Sequence, residues 1–485
     1  MRLATLGTSV PQIVILAMGF VLTGIAMFLV AGLFTPSAAI AEAGSRDRAA
    51  QLVDGSVPTS SLDPCTVQSI VPYASPGPFL PRDGTTLNGQ LLTSLPDPVS
   101  GINQIYLQSG TANNCLTCSP PSGSGAPALD RYKKYPIWAT TSQGPWIVFI
   151  AEAPDGPTIT TSSDAGSQLQ EVNGYFADVW VMDPTAQHFY QLTSYPQNPK
   201  SPNNPRPTHG VLPPRASPDG NWLAWSAIYR WPDTPPTPTS LRASLISPDV
   251  SFNGAFHPSG YWKFYVANFA VTGGVPTLQN IADETQPSGT LYETQDWSPD
   301  STQVQLDADI GMKSQYGWDA NVFDRTTGQF TDVSNTPGQW EEHQLYSPDG
   351  KTIAFMSSAA FPTLVAQFGL LALRDYMAEL RTEIFLMNPD GSHWRRITFF
   401  NSPPPNPSIH QEYSPGGPSV GVVPKWSYDG TQLLVTQKFA NGSNLFWVKG
   451  YWLVTFVGSC GGSAGTATAT PTEVSLPTST ATMVP

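Results

Sequence analysis

The chain has 485 residues, with 36 acidic against 23 basic side chains and a net charge of −13. Only 12% of it is charged, whereas 49 Pro, 41 Gly and an 11% aromatic share mark a turn-dense, aromatic-rich chain. That composition excludes a long coiled coil, a disordered chain and nucleic-acid binding through a basic surface, and leaves a predominantly β protein of many short strands.

In chain order, the first element is the uncharged run 12–34, QIVILAMGFVLTGIAMFLVAGLF. At 1.5 Å per residue it is long enough to span a hydrocarbon core. Arg2 and the amino terminus, the only positive charges before it, predict a cytoplasmic N-terminus with the body outside. Ala39-Ile40-Ala41 fits a signal-peptidase site, so the expectation is a single-pass anchor over residues 1–41, or a secreted chain if cleavage follows Ala41. Residues 42–100 are rich in Pro and Gly with weak periodicity and are expected to form an irregular lead-in.

Four cysteines, Cys65, Cys115, Cys118 and Cys460, are disulfide candidates in an exported chain, with three pairings open. Cys115 and Cys118 form a C-x-x-C between Asn113-Asn114 and Ser119-Pro120-Pro121. Those flanks are loop chemistry rather than the helix start a redox motif uses.

The body is repetitive. Ala216-Ser217-Pro218-Asp219-Gly220, Trp297-Ser298-Pro299-Asp300-Ser301, Tyr346-Ser347-Pro348-Asp349-Gly350 and Trp426-Ser427-Tyr428-Asp429-Gly430 each precede an alternating apolar strand. Looser copies lie at Thr141–Gly144 and Phe256–Gly260. Pro fixes φ, Asp caps the turn and Gly supplies φ > 0, which makes a tight hairpin. A second strand–turn–strand unit follows, clearest in Glu383–Gly391 running on to Arg396-Ile397-Thr398. An early unit, Gln104–Leu107 to Leu116-Thr117, matches it, and Asn444–Val448 and Trp452–Phe456 are expected as the last outer strands. Leu364, Phe368 and Leu371 share one face of a possible short helix inserted at 359–381.

The W-S-P-D-G hairpin followed by I-F-L-M-N-P-D-G…R-R-I-T resembles the TolB-type, WD-like β-propeller repeat. The resemblance implies an all-β propeller of four-stranded blades over 101–457, six-bladed with five or seven left open, closed by strands from both ends of the chain. It also implies binding of proteins or small ligands more often than catalysis. Residues 458–485 form a Thr/Ser/Pro-rich tail that cannot build a core.

Polar residues just before the turn aromatics fall on the innermost strands of such a ring. They are Glu293, Asp296, Glu341, Glu342 and His343, with His410 (and Glu412) at longer range from Trp426. As channel-lining candidates they offer a cation or a sugar a polar ring; the plainer reading is that they cap strand ends. With no H-x-x-x-H spacing, no metal ligands, cofactor or catalytic residues are assigned. Asp307 and Asp309 match a fragment of a calcium loop that lacks its Gly and distal Glu. Two G-x-S-x-G matches, at Gly417–Gly421 and Gly461–Gly465, lack the strand–turn–helix setting of a nucleophile elbow. The expected function is a membrane-anchored extracytoplasmic scaffold for a protein or cell-wall partner, without nucleic acid. The alternatives are a propeller lyase or hydrolase acting on a polysaccharide, and a structural subunit of a surface assembly.

Overall fold

In the computed structural model the described residues are 63–74, 81, 83–110, 112–154, 176–195, 210–230, 261–288, 291–310, 318–336, 339–361, 380–413, 418–441 and 444–460. The run 12–34, the Ala39–Ala41 site, most of the 359–381 insertion and the tail beyond 460 lie outside them. Among the described residues no helix is long and apolar enough to cross a membrane.

Ser-Pro-Asp-Gly builds the hairpins as its chemistry dictates. In all four close copies the Ser hydroxyl donates to the Asp carboxylate and accepts the backbone N–H five residues on, at 2.9–3.0 Å. The turn ends at Gly220, Gly350 or Gly430 with φ of 69°, 74° or 67°, and in one copy at Ser301 with φ 62°. A second recurring device closes the outer hairpin. The hydroxyls of Thr117, Thr193, Ser334 and Thr398 accept the N–H of Ile105, Val179, Ala320 and Ile384 at 2.9–3.0 Å. Each donates to the side chain just before, namely Gln104, Asp178, Asp319 and Glu383. The "I-T" after each outer hairpin is therefore a strand cap written into the repeat.

Among the described residues 24 strands form six four-stranded antiparallel sheets. A first strand, β1 (Val67–Tyr73), stands apart in sequence. Blade 1 follows with β2 (Thr86–Leu87), β3 (Gln90–Pro96), β4 (Asn103–Ser109) and β5 (Ala112–Cys115). Blade 2 has β6 (Lys133–Thr141), β7 (Gly144–Glu152), β8 (Ala177–Met182) and β9 (Phe189–Gln191). Blade 3 has β10 (Arg215–Ala216), β11 (Trp222–Arg230), β12 (Tyr261–Thr272) and β13 (Val275–Asp283). Blade 4 has β14 (Tyr292–Trp297), β15 (Gln303–Ala308), β16 (Asp319–Asp324) and β17 (Gln329–Asp332). Blade 5 has β18 (Glu341–Tyr346), β19 (Ile353–Ser357), β20 (Glu383–Met387) and β21 (Arg395–Arg396). Blade 6 has β22 (Ser419–Trp426), β23 (Gln432–Asn441) and β24 (Asn444–Phe456), and β1 completes it by pairing with β24 from Val67↔Phe456 to Tyr73↔Tyr451.

The core lies in the seams between blades. Because side chains alternate along a strand, Ile353 and Phe355 face blade 4, whereas Ala354 and Met356 face blade 6. Ile147, Phe149 and Ala151 likewise join blade 1 residues, and Val148 and Ile150 join those of blade 3. Strands buried on both faces read as continuous apolar runs. The repeat aromatics tie each blade to the one before: the Trp297 indole donates to the Arg215 carbonyl at 2.9 Å and that of Trp426 to the Leu345 carbonyl at 3.2 Å.

The ring is closed by several contacts between blades 6 and 1. Lys425 meets Asp83 at 2.7 Å, the Tyr428 hydroxyl donates to the Thr86 carbonyl at 2.8 Å, and Pro81 bridges Ser427. Cys65 and Cys460 are disulfide-bonded across 395 residues, clasping the start of β1 to the chain beyond β24. Cys115 and Cys118 form the second disulfide, a local cross-link at the end of β5.

Some boundaries differ from expectation. The stretch read as an irregular lead-in carries β1, β2 and β3 from residue 67 onward, because closing the ring requires a strand from the N-terminal side. Asn444–Val448 and Trp452–Phe456 are one continuous strand, β24, and it is third rather than outermost. Tyr261–Thr272 is a third strand of blade 3, so the Phe256–Gly260 copy starts no blade of its own; those five residues lie outside the described ones. Ser459 and Cys460 are fixed to the blade 6 turn through the Asp429 and Gly430 carbonyls, and so belong to the ring rather than to the tail.

Candidate functional site

The first strands of neighbouring blades lie side by side around the inner wall: β2 by β6, β6 by β10, β10 by β14, β14 by β18 and β18 by β22. Three of them break register at a corresponding place, between Lys134 and Ile137, Glu342 and Leu345, and Val422 and Lys425. Within each break one non-glycine residue has positive φ: Tyr135 at 54°, His343 at 60° and Val423 at 50°. Such bulges re-aim side chains, and the left-handed backbone costs on the order of 1 kcal/mol each.

Charge gathers on the inner strands of blades 4 and 5. Glu293 on β14 stands directly opposite Asp307 on β15 in the antiparallel register. Glu342 approaches from β18, and carboxylate oxygens of all three residues lie within 4.8 Å of one another. Like charges directly across a strand pair are destabilising, so this is a costly arrangement. Asp307 is fully buried. Its Oδ2 accepts the Gln295 amide and, at 3.4 Å, the backbone N–H of His343. Its Oδ1 is buried with no hydrogen-bond partner among the described residues.

The electrostatics extend the site around the ring. Burial raises Glu293, and Arg215 on β10 opposes that shift. Asp307 is raised well above the carboxylate range by burial and then by Glu342 and Glu293. Glu342 is pushed up to about 8 by burial and by Glu293, against a favourable Lys438 from β23. His343 is held down to about 3 by burial, Lys438 and Arg215, so its ring is neutral at pH 7. Its 3.9 Å approach to Glu342 is accordingly no ion pair. Burial also raises the Tyr135 hydroxyl, with Glu293 adding to the shift. Side chains from blades 2 to 6 thus act on one another at the inner wall.

Of the expected channel residues, Glu293, Glu342 and His343 come together and the others do not. Asp296 accepts the Tyr346 N–H at 3.1 Å, a strut between blades 4 and 5. Glu341 is fully buried and accepts the Ser357 hydroxyl at 2.7 Å and that of Thr336. Next to Glu342 on the same strand, it faces away from the three-carboxylate cluster because side chains alternate. His410 bridges Ile70 of β1, the outermost strand of blade 6, and contacts Glu412 at 3.0 Å, so it braces the rim rather than the channel. Ser419 is a strand residue of β22, where Gln437 donates to its hydroxyl at 3.0 Å, not a nucleophile at a sharp turn.

Arg215, Lys438, Tyr135 and Gln295 were not anticipated. Arg215 precedes Ala216 at the turn-anchoring position and was detectable there; the others depend on bulges and second strands. Asp307 belongs to no calcium loop; its informative feature is an acid inside the buried strand Gln303–Ala308.

The fold and site together define a six-bladed β-propeller with a half-buried, mixed-charge cluster on its inner wall. No protein-family model matches the sequence, and no characterised protein matches it. Among solved structures it is similar to one ascribed to TolB of Agrobacterium tumefaciens, at 12% identity and a TM-score of 0.31, covering 64% of this chain and 82% of that one. It is also similar to the Dos1 propeller, at 9% identity and a TM-score of 0.37 over 76% and 66% of the two chains. An oligogalacturonate lyase in complex with manganese is a third, at 12% identity and a TM-score of 0.36 over 78% and 88%. These likenesses are of fold alone.

Proposed function

We propose that this chain is an extracytoplasmic binding scaffold, anchored through residues 12–34, that takes a ligand or a partner's polar segment at the inner wall of its propeller. The observation that carries this reading is the convergence of Arg215, Glu293, Asp307, Glu342 and Lys438, drawn from four blades, into one half-buried cluster around the fully buried Asp307. Buried charges of like sign are expensive, and a fold that serves only as a spacer has no need of them. Two disulfides, with no free cysteine among the described residues, support an oxidising compartment outside the cytoplasm.

The test is capture of partners by the full-length protein cross-linked in intact membranes, comparing the wild type with Arg215→Ala and Glu342→Gln. A partner or glycan held by the wild type and lost in both variants supports the reading. Equal capture by all three rejects the inner wall as the binding face. Protease added to intact cells should digest the body; digestion only after lysis would reverse the proposed orientation.

One observation favours an enzyme instead. A Glu342 carboxyl pushed up to about 8 holds its proton at neutral pH and can act as a general acid. Cleavage of an acidic or neutral polysaccharide by the wild type, lost in Glu342→Gln, would convert the scaffold into a lyase or hydrolase.

A further inference from the structure

We propose that Glu293, Asp307 and Glu342 bind one divalent cation of calcium or manganese type between blades 4 and 5. The inference rests on the reading of the inner wall as a binding site and names what first occupies it. Three carboxylate oxygens within 4.8 Å of one another are no farther apart than the ligands of one calcium ion, which at 2.3–2.6 Å each span up to about 5 Å. Magnesium, which holds its ligands at 2.0–2.1 Å in a near-ideal octahedron, fits that spread less well. An all-oxygen donor set also selects hard cations over zinc or copper.

A second, independent observation points the same way. Asp307 is fully buried, its Oδ2 is held by Gln295 and the His343 N–H, and its Oδ1 has no partner among the described residues. A buried carboxylate oxygen without a donor is unfavourable, and a cation among the three carboxylates would supply what the described residues do not. The geometry is also fixed beforehand: the bulge at His343 sets Glu342 beside Asp307 and brings a backbone N–H to Oδ2.

The experiment uses full-length protein stripped with chelator and titrated with manganese chloride, bound ion being counted by electron paramagnetic resonance. The expected result is one manganese per chain, displaced by calcium, with a melting temperature that rises as either ion is added. Glu293→Gln and Glu342→Gln are close in shape and remove repulsion, so each should melt no lower than the wild type in chelator. Both should bind manganese at least tenfold more weakly, whereas Asp130→Asn, at an exposed site outside the cluster, should bind as the wild type does. Absence of bound manganese and calcium in the wild type at millimolar ion overturns the proposal, as does undiminished binding in both Gln variants. The two readings fail separately. If no ion binds but Arg215→Ala still loses the partner, only the cation is wrong; if the ion binds and partner capture is indifferent to Arg215, only the scaffold reading is wrong.

Discussion

Gly220 and Gly350 occupy the same turn position in blades 3 and 5, with φ of 69° and 74°, yet they should respond very differently to one added methyl. An alanine in the left-handed region costs on the order of 1 kcal/mol at either site. The backbone conformation itself is tolerable, because Ser301 holds it in blade 4 at φ 62° and its hydroxyl accepts the Asp219 N–H across the seam at 3.1 Å. What differs is the neighbour. A Cβ at Gly350 would sit 3.2 Å from Cδ of Pro299, a tight contact relieved by a few tenths of an ångström. At Gly220 it would sit 1.8 Å from the Thr140 carbonyl oxygen and 2.4 Å from its carbon, so the blade 2 backbone or the blade 3 turn must move by more than an ångström. Forced overpacking costs about 1–3 kcal/mol beyond the backbone cost. Gly350→Ala should therefore lose about 1 kcal/mol, and Gly220→Ala about 2–4 kcal/mol. Urea unfolding followed by Trp fluorescence would measure both, with unchanged m-values showing that the unfolded state is the same. Equal losses at the two sites would refute the claim that close approach of neighbouring turns, rather than φ alone, demands glycine. Gly350→Val adds β-branching and should exceed Gly350→Ala; an unchanged melting temperature would count against the repeat itself.

Other outcomes follow from the ring closure and the seams. Burial alone would raise Asp83, but Lys425 and Thr85 hold its carboxyl down to about 2. The unfolded chain therefore binds more protons between pH 3.8 and 2, and about 2 kcal/mol of stability present above pH 3.8 is lost as pH falls through that window. Asp83→Asn should flatten the fall in melting temperature below pH 4, and an identical acid profile would refute the coupling. Cys65→Ser should lower stability by about 2–4 kcal/mol and reproduce most of the effect of reductant, because its disulfide closes a span of 395 residues. Cys115→Ser, which opens a span of only three, should do neither by a comparable amount in the same melts. Trp297→Ala removes a buried ring and the donor to the Arg215 carbonyl, and should cost about 3–5 kcal/mol by denaturant titration; a loss below 1 kcal/mol would mean the seam does not depend on it.

The blades were legible because each depends on local chemistry. Ser347, Asp349 and Gly350 make their turn with one another, and Thr398 caps Ile384 across a single hairpin. Closure was legible in principle but not in place. β1 is a short half-exposed strand whose partner lies almost 400 residues away, and nothing in Val67–Tyr73 itself announces that pairing. The Pro-to-Tyr change at Tyr428 was a usable signal, since its hydroxyl reaches across the closure to Thr86. The site was half legible. Glu293 and Glu342 hold equivalent places before their turn aromatics, so the repeat alone brought them to the inner wall. Asp307 and Lys438 sit on second strands, and whether they reach the wall depends on bulges that shift register without leaving any mark such as glycine: the residues at positive φ are Tyr135, His343 and Val423.

The carboxylates do not gather themselves; the seam beside them holds them together. Between blades 4 and 5 lie Tyr346, Ile353, Phe355, Phe385 and Met387, each 1% exposed or less. At about 1.5–3 kcal/mol for each large apolar side chain removed from water, five of them contribute on the order of 10 kcal/mol. Repulsion among partly screened carboxylates amounts to a few kcal/mol at the effective dielectric of such sites. The apolar seam wins, and its geometry rather than the acids' own preference sets their separation. Closure makes that separation stiffer still, because a blade in a ring cannot swing outward without opening a second seam on its far side. For blade 5 the far seam is the one built on Leu345, Ala354, Met356 and Leu386 against Val422, Trp426, Leu433 and Val435. The cluster is thus a preorganised site: its electrostatic cost is met when the chain folds, and a cation or cationic group that enters finds its ligands already in place.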